Sequence, residues 1–257
     1  MIRYNFVVMS KLYHIGTSGW SYSHWVKIFY PENLEKRSWL SYYARWFDIV
    51  EINSTFYRLP FKNMVKGWKN KVPEGFTFAV KGSKVITHKK KLVDIKDDLD
   101  RFVERVSLLE NKLGPILWQL PPSLRKNLNL LKAFLGFLPK DIKHAIEFRH
   151  KSWFNNETYS ILEKYNVALC ITDSKKFKSP WVETASFAYF RFHGPERLYA
   201  SEYTETQLKD IAKKILNMKA ESFIFFNNDF EGYALKNAIF LKKILDGGEK
   251  SENIDSS

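Results

Sequence analysis

Three stretches of the sequence place polar or charged residues two positions apart at the end of an apolar run. The three pairs are Glu51 and Asn53, Glu147 and Arg149, and Arg191 and His193. Arginine binds phosphate or carboxylate oxygens through paired N–H donors, histidine exchanges a proton near neutral pH, and glutamate can act as a general base. Together, these residue types would recognise a phosphate-containing ligand and could hydrolyse it.

A spacing of two is the period of a β-strand, whose side chains point alternately to opposite faces. In "IVEIN", Ile49, Glu51 and Asn53 share one face, whereas Val50 and Ile52 share the other. The segments "HAIEFR" and "FAYFRFHG" alternate in the same way. We therefore expect the apolar face of each strand to pack on helices and the mixed face to line an interior.

Eight segments of strand character alternate with segments of helical period. The strand segments are "YHIG" from Tyr13, "IVEIN" from Ile49, "FTFAVK" from Phe76, "PILWQL" from Pro115, "HAIEFR" from His144, "ALCITD" from Ala168, "FAYFRFHG" from Phe187 and "SFIFFNN" from Ser222. This order, in about 240 residues, predicts an α/β fold with a single (β/α)8 barrel of the TIM type. A doubly wound sheet is the alternative. It usually carries a Gly-rich phosphate loop, and the sequence holds neither GxGxxG nor GxxxxGK followed by Ser or Thr.

The predicted barrel spans residues 13–246. Residues 1–12 form a predicted N-terminal extension, in which Met9 is an alternative start to Met1. Residues 247–257, rich in Gly, Ser and Glu, form a predicted disordered tail. The connection "SKKFKSPWVETAS", between the sixth and seventh strands, lacks a helical pattern, so this β/α unit is predicted to be irregular.

In a parallel barrel all strands end at one rim, where enzymes of this fold carry their active sites. Polar residues come late in the predicted strands, so we expect them to form a polar cup at that rim. The predicted catalytic residues are Glu51, Glu147, Asp173 and His193. The predicted ligand-binding residues are Ser18, Trp20, Asn53, Tyr57, Lys81, Gln119, Arg149, Arg191, Asn227 and Asn228. The alternative is an ion-pair network in which the two glutamates and two arginines only satisfy each other's buried charge.

The formal net charge of +13 favours anionic partners such as nucleic acid or phosphorylated ligands. Predicted loops at the rim carry basic residues, namely Lys84, His88, Lys89, Lys90, Lys91, Lys175, Lys176, Lys178 and Arg197. Aromatic residues fall in the same region, namely Trp20, Tyr22, Trp25, Tyr57, Trp153, Phe154, Trp181 and Tyr199. Cations combined with flat rings are typical of single-stranded nucleic-acid binders. Solvated loops and core packing would account for the same residues without a ligand.

The lone cysteine, Cys170, excludes an intrachain disulfide and a cysteine-rich zinc or iron–sulfur site. A single Mg²⁺ or Mn²⁺ ion is an option through Glu51, Glu147, Asp173 and His193, whose oxygens suit such ions. No HxH or HExxH pair favours tight zinc binding. No apolar run approaches the ~20 residues of a membrane span, so we expect a cytoplasmic protein without a membrane partner.

Five longer segments resemble signature segments of the YecE-like family, long described as a domain of unknown function. They are "GTSGWSYSHW", "YARWFDIVEINSTFYRLP", "EFRHKSWF", "YFRFHGP" and "FNNDFEGYALKNA". The resemblance runs from about Ile15 to about Leu245 and implies a TIM-type barrel, but it implies no established reaction, substrate or catalytic residue set. It also suggests cysteines for an iron–sulfur cluster in some relatives, which this chain, with Cys170 alone, does not match.

Three functions stay open at this point. The first is an enzyme, of phosphodiesterase or nuclease type, acting on a phosphate-containing ligand or nucleic acid. The second is a glycoside hydrolase using Glu51 and Glu147, which needs the carboxyl groups ~5–10 Å apart. Neighbouring arginines disfavour it, because they lower the pKa of a carboxyl group that should be raised. The third is a non-catalytic binder of nucleic acid or an anionic metabolite. The sequence predicts no oligomeric state.

Overall fold

Eight parallel strands surround one interior in the computed structural model, which describes residues 13–174 and 177–247. The strands are β1 (Tyr13–Thr17), β2 (Ile49–Ile52), β3 (Thr77–Lys81), β4 (Leu113–Gln119), β5 (His144–Glu147), β6 (Val167–Asp173), β7 (Phe187–Phe192) and β8 (Glu221–Phe226). Their order in the sheet is β1-β8-β7-β6-β5-β4-β3-β2, and every paired neighbour is parallel. The predicted (β/α)8 barrel is confirmed. The predicted extension, residues 1–12, and residues 248–257 of the predicted tail lie outside the described residues.

The barrel closes between β1 and β2 through a buried tyrosine. The Tyr43 hydroxyl accepts from the Thr17 amide at 3.0 Å and donates to the Ile49 carbonyl at 3.1 Å. Gly16 makes this close approach possible, because a Cβ atom there would lie 2.2 Å from the Ile49 carbonyl oxygen. The Tyr43 side chain thus satisfies the Thr17 amide and the Ile49 carbonyl, which direct hydrogen bonds between the two strands would otherwise pair.

Helices cover the outside of the barrel. They are α1 (Trp39–Tyr43), α2 (Ser54–Tyr57), α3 (Lys62–Asn70), α4 (Lys96–Val106), α5 (Leu128–Phe137), α6 (Asn156–Lys164), α7 (Glu205–Leu216) and α8 (Tyr233–Leu245). Helix α7 begins with a Thr204 cap: the Thr204 hydroxyl accepts from the Gln207 amide, and Gln207 Oε1 accepts from the Thr204 amide. None of the described helices is long and apolar enough to cross a membrane.

The connection between β6 and β7 has no helix in its described part, as the sequence predicted. Instead, hydroxyl groups of the connection bind the backbone of β6. Thr184 Oγ1 accepts from the Leu169 amide at 2.8 Å and donates to the Val167 carbonyl at 2.7 Å. Ser179 Oγ accepts from the Thr172 amide at 2.7 Å. Side chains therefore satisfy strand groups here, where the sequence offers no helical period.

The strand alternation predicted from the sequence is confirmed. One buried cluster fills the barrel interior, namely Ile49, Ala79, Leu117, Ala145, Ala168, Cys170, Phe187, Tyr189, Phe223 and Phe225. A second, larger cluster lies between strands and helices and includes Val50, Ile52, Ile146, Phe190 and Phe192. Alanines of β3, β5 and β6 leave room that the aromatic rings of β7 and β8 fill. The interior is thus packed, and the polar residues lie above it at the carboxyl ends.

Candidate functional site

An arginine between two carboxylates forms the floor of the polar cup. Arg191 Nη2 donates to Glu51 Oε1 at 2.8 Å, and Arg191 Nη1 donates to Glu147 Oε2 at 2.7 Å. Arg191 Nη2 also lies 3.4 Å from Asn53 Oδ1. Arg191 is 1% exposed and both glutamates are 0% exposed. The ion-pair network considered as the alternative therefore exists, and it takes up the arginine predicted to hold the ligand.

Neighbouring donors satisfy the remaining oxygens of the two carboxylates. Ser18 Oγ donates to Glu51 Oε1 at 2.7 Å, and Tyr189 Oη donates to Glu51 Oε2 at 2.6 Å. Gln119 Nε2 donates to Glu147 Oε1 at 2.8 Å, and Arg149 makes a close ion pair with the same oxygen. Burial opposes ionisation of Glu147, but Arg149 and Arg191 outweigh it and hold its pKa well below the usual range. Glu147 is therefore ionised, not poised as a general acid.

His193 lies fully buried beside this network and is neutral. Arg149 Nη2 lies 3.2 Å from His193 Nε2, and Asn227 lies 3.1 Å from His193 Nδ1. Because arginine has no acceptor, Nε2 must carry the lone pair and Nδ1 the proton. Asn227 Nδ2 is the atom that lies at His193 Nδ1, so we assign the Asn227 amide in its flipped orientation, in which Oδ1 accepts from Nδ1. Burial and then the charge of Arg191 hold the His193 pKa well below its ordinary value. Its proton-accepting nitrogen is already engaged.

The upper part of the cup holds donors without partners. Lys81 ends β3, and its ammonium lies 4.4 Å from the centre of the Phe56 ring. Among the described residues it has no hydrogen-bonded or ion-paired acceptor. Arg149 Nε is buried and also lacks a partner there. Burial and then the charge of Arg191 lower the pKa of Lys81 to about 8. The carboxylates at the floor of the cup are already paired, so Lys81 and Arg149 can bind an anion from solution.

Aromatic side chains surround these donors. Tyr57 ends α2, is 67% exposed and lies under the Lys84 ammonium, 5.5 Å from its ring centre. Tyr199 is 43% exposed and packs edge-on against the His193 ring at 5.4 Å. Trp20 is half-buried and packs edge-on against Trp68 at 6.0 Å, so it contacts the helical layer. Tyr57 and Tyr199 are thus the rings of this group that reach solvent.

The structure does not bring Asp173 into the cup, contrary to the sequence expectation. Cys170 belongs to the interior cluster, whereas Leu169 and Ile171 lie in the helix-facing layer. Asp173 shares the face of Leu169 and Ile171, and it pairs with Lys178 at 3.2 Å beside α7. The alternation of β6 was sufficient to predict this outward position.

Asn228 also lies outside the cup. Its side-chain amide donates to the Ser201 carbonyl at 2.9 Å and to Asn237 Oδ1 at 2.8 Å. Asn237 in turn binds both backbone polar groups of Tyr203. Asn228 therefore fastens α8 to the loop after β7. Asn227, one residue earlier and on the opposite face, is the one that reaches His193.

The four residues considered for a divalent ion do not form a set. Asp173 faces α7, and the oxygens of Glu51 and Glu147 are taken by Arg191, Arg149 and their neighbours. Across residues 13–174 and 177–247, no group of three or more His, Cys, Asp or Glu could hold a metal ion. The donor set predicted for Mg²⁺ or Mn²⁺ does not fit such an ion.

Several rim residues predicted from the sequence have structural roles. Trp25 and Trp153 are 0% exposed core residues, which corrects their placement among the rim aromatics. Lys178 pairs with Asp173, and Lys90 pairs with Asp98 at 2.8 Å. Lys175 and Lys176 lie outside the described residues. Cations with salt-bridge partners do not add to the anion-binding surface.

Sequence reasoning assigned neither Tyr189 nor His24 to the site. Tyr189 was assigned to the interior face of β7 but not to the site, although its hydroxyl binds Glu51. Asp229, after β8, accepts from Trp25 Nε1 at 2.7 Å and pairs with His24 at 2.9 Å. Burial raises the pKa of Asp229 to about 6. The polar residues of the loops after β1 and β8 were the sequence signal that could have indicated the contact between His24 and Asp229.

Clefts also lie away from this cup. One cleft, of about 420 Å³, lies at the amino-terminal ends of the strands, where His14, Glu221 and Lys143 line it. His14 Nε2 there lies 3.1 Å from Glu221 Oε1. Barrel enzymes carry their active sites at the opposite rim, where the cup lies. The cup, and not this cleft, is therefore the candidate site.

The fold and the cup define the class of protein: a single TIM-type barrel with buried, paired glutamates and arginines at the carboxyl ends of its strands. The chain belongs to the family described as "Protein of unknown function DUF72", whose model matches residues 14–255. The YecE-like resemblance is thereby confirmed.

Two curated relatives are named as UPF0759 proteins. The chain is 32% identical over 142 residues to the UPF0759 protein YecE of Escherichia coli, a match that covers 55% of this chain and 50% of that protein. It therefore spans about half the length of that relative. The UPF0759 protein YunF of Bacillus subtilis is 28% identical over 273 residues, covering 91% of this chain and 94% of that protein.

Solved structures show the same barrel. A DUF72 family protein from Thermotoga maritima superposes with a TM-score of 0.81 at 30% identity, covering 92% of this chain and 100% of that one. A DUF72 family protein from Enterococcus faecalis superposes with a TM-score of 0.79 at 22% identity, covering 91% and 95%, which supports the fold alone.

Proposed function

We propose that the cup binds a small phosphate-containing anion through Lys81 and Arg149. The observation that carries this proposal is the Lys81 ammonium, half-buried in the cup without an acceptor among the described residues. Burying a charge without a partner is costly, so such a group favours an anionic ligand. Arg149 Nε, also without a partner in the described structure, adds a directional N–H donor.

The charge balance of the cup supports an anion. Glu51 and Glu147 are paired with Arg191 and Arg149, and His193 is neutral. These four charged residues cancel, and Lys81 adds one positive charge. An anion at Lys81 would restore neutrality and recover the free energy lost by burying the ammonium.

Binding is better supported than hydrolysis by the predicted catalytic residues. Glu147 is ionised and ion-paired, and the His193 lone pair faces Arg149. Neither group is free to take a proton from water. The glycoside hydrolase alternative requires a protonated carboxyl group, and the arginines that lower the pKa of Glu147 oppose it.

Nucleic-acid binding is a second candidate, favoured by the net charge of +13 and by the exposed Tyr57 ring next to Lys84. Rings and cations of this kind stack on bases and contact phosphates. This candidate uses the outer rim, whereas the small-anion site uses Lys81 inside the cup.

Calorimetric titration with inorganic phosphate tests the small-anion site. We expect Lys81→Met to weaken phosphate binding at least about tenfold, because it removes the surplus charge. Lys164→Met is the matched control: it removes the same charge at the end of α6, in a cleft next to the amino-terminal ends of β5 and β6, and should leave the affinity unchanged. Equal affinities for the wild type and Lys81→Met would overturn the proposal.

Sulfate binding gives a pH test, because the charge of sulfate does not change near neutrality. The pKa of Lys81 is about 8, so its positive charge is lost as the pH rises through that value. We expect sulfate affinity to fall between about pH 7 and about pH 9 in the wild type and to stay flat in Lys81→Met. A fall of the same size in both proteins would assign the effect to other groups.

A further inference from the structure

We propose that Lys81 forms an imine with the carbonyl carbon of a small anionic aldehyde or keto acid bound in the cup. This inference rests on the proposed function, since the same site would hold the anionic end of the substrate. It adds a covalent activity and a substrate class: carbonyl compounds with a phosphate or carboxylate group. Imine formation is the chemistry open to a desolvated lysine that lies beside other cations.

The geometry of Lys81 sets it apart from Lys112, a buried lysine elsewhere in the barrel. Lys112 Nζ donates to the Lys69 carbonyl at 3.1 Å and to the Val72 carbonyl at 2.8 Å, so its charge is satisfied. Lys81 Nζ has an aromatic face in place of an acceptor among the described residues. The Lys81 backbone is fixed, because Thr55 Oγ1 donates to its carbonyl at 2.7 Å. A fixed backbone position thus carries an amine that has no acceptor among the described residues of the cup.

The surroundings favour the neutral, nucleophilic form of the amine. Burial and the charges of Arg191 and Arg149 disfavour the ammonium, which lowers the pKa of Lys81 to about 8. Roughly a tenth of the Lys81 side chains would then be neutral at pH 7, against fewer than about one in a thousand for an ordinary lysine. Arg149 therefore has two effects: its unpartnered Nε can bind the anionic end of the substrate, and its charge, together with that of Arg191, favours the neutral amine.

The proton balance of the step needs one acceptor that later returns the proton. Neutral Nζ attacks the carbonyl carbon, the C–N bond forms, and the π electrons move to the oxygen, which takes a proton while the nitrogen loses one. The nitrogen lone pair of the resulting carbinolamine then forms the C=N bond, and the hydroxyl group leaves as water after taking a proton from the acid. The second N–H proton returns to that acid, which leaves a neutral imine. No oxidant or other co-reactant is needed.

His88 is the residue we assign to this proton transfer. Its ring packs edge-on against Phe56 at 4.9 Å, so it shares that ring with Lys81. Thr87 Oγ1 donates to the Ser83 carbonyl at 3.1 Å and lies 2.9 Å from His88 Nδ1. We therefore place the His88 proton on Nδ1, which leaves a lone pair on Nε2 to accept the proton.

Reductive trapping of the full chain with glyoxylate and cyanoborohydride at neutral pH tests the inference. The hydride converts any imine into a stable carboxymethyl-lysine, which peptide mass spectrometry assigns to a residue. We expect Lys81 to be labelled at least about tenfold faster than exposed lysines and than Lys112, since its neutral fraction is larger. Excess phosphate should slow labelling at Lys81 alone, whereas uncharged propionaldehyde should show much weaker selectivity. Labelling of Lys81 no faster than that of exposed lysines would overturn the inference.

Two variants separate this inference from the proposed function. Lys81→Arg keeps the charge and should bind phosphate with little change, yet it should show no selective trapping. His88→Gln should keep phosphate binding and slow trapping at Lys81, with a flatter pH profile. Phosphate binding without selective trapping in the wild type would reject the imine alone. Loss of both would reject the anion site as well.

Discussion

Among the described residues, Arg191 is the cation that forms an ion pair with both Glu51 and Glu147. It donates to Glu51 through Nη2 and to Glu147 through Nη1 at 2.7–2.8 Å. Removing one member of a buried ion-pair network leaves the other charges unpaired, which usually costs more than the pair contributes. At the scale of the residue, Arg191 is therefore a positioning group for the cup, and its substitution should act mainly on stability.

We expect Arg191→Met to lower the free energy of unfolding by about 3–5 kcal/mol, because it leaves Glu51 and Glu147 buried with too few donors. Urea unfolding followed by circular dichroism measures this change. Lys81→Met removes a cation from the same cup but breaks no ion pair seen in the described structure, so it should not destabilise the fold. Equal losses in the two variants would contradict the assignment of Arg191 to the network.

At the scale of the element, strand alternation decides which late polar residues reach the cup. Glu51, Glu147 and Arg191 share the interior face of their strands with Ile49, Ala145 and Tyr189. Asp173 and Asn228 fall on the opposite face and bind the outer layer. A position near the carboxyl end of a strand was therefore not enough to predict that a side chain lies in the cup. A shift of one residue moves a side chain to the other face of the sheet.

The segment after β2 shows a second limit at this scale. Asn53 lies at the start of the short helix α2, and Thr55 Oγ1 turns back to bind the Ile52 and Lys81 carbonyls. Tyr57 therefore reaches the rim from a helical turn, whereas its spacing from Glu51 and Asn53 resembled a continued strand. Ser and Thr hydroxyls commonly favour such turns by binding nearby carbonyl groups.

The β1–β2 junction provides a test of an element contact. We expect Tyr43→Phe to lower the free energy of unfolding by about 1–3 kcal/mol, because the Thr17 amide and the Ile49 carbonyl lose a shared buried partner. The control is Tyr42→Phe on the same helix, whose hydroxyl makes no hydrogen bond to the described residues and should change stability by less than about 0.5 kcal/mol. Thermal or urea unfolding separates the two variants. A Tyr43→Phe protein as stable as the control would show that the barrel closes without this bridge.

At the scale of the whole molecule, the net charge of +13 surrounds a cup that itself carries one surplus positive charge. A large positive charge attracts any polyanion and raises its association rate, without specifying a site. Small-anion binding and nucleic-acid binding should therefore respond differently to substitutions inside the cup and at its rim.

We expect weak binding of single-stranded DNA that falls at least about tenfold between roughly 50 and 200 mM KCl, because bound phosphates release counterions. Fluorescence anisotropy with a labelled random oligonucleotide measures the slope. The double variant Tyr57→Ala with Lys84→Met should reduce this binding, whereas Lys81→Met should change it little. An affinity that does not depend on salt, or no binding at the lower concentration, would reject the nucleic-acid candidate.

The sequence by itself determined the barrel, its interior faces and the main members of the cup. These properties follow from local periods: two residues for strands and about 3.6 for helices, read against the apolar pattern. The positions of Glu51, Glu147 and Arg191 were predictable in this way, as was the missing helix after β6.

Only the tertiary structure decided which charges are paired and which stay open. Arg191 lies 140 residues from Glu51 and 44 from Glu147 along the chain, so no local pattern encodes their contacts. Closure of the barrel brings these residues together and places Arg149 on Glu147, which leaves Lys81 over Phe56 without a carboxylate among the described residues. The sequence alone does not distinguish a lysine or arginine that has an ion-pair partner from one that has none. Burial and distance distinguish them, because both set the free energy of each charge.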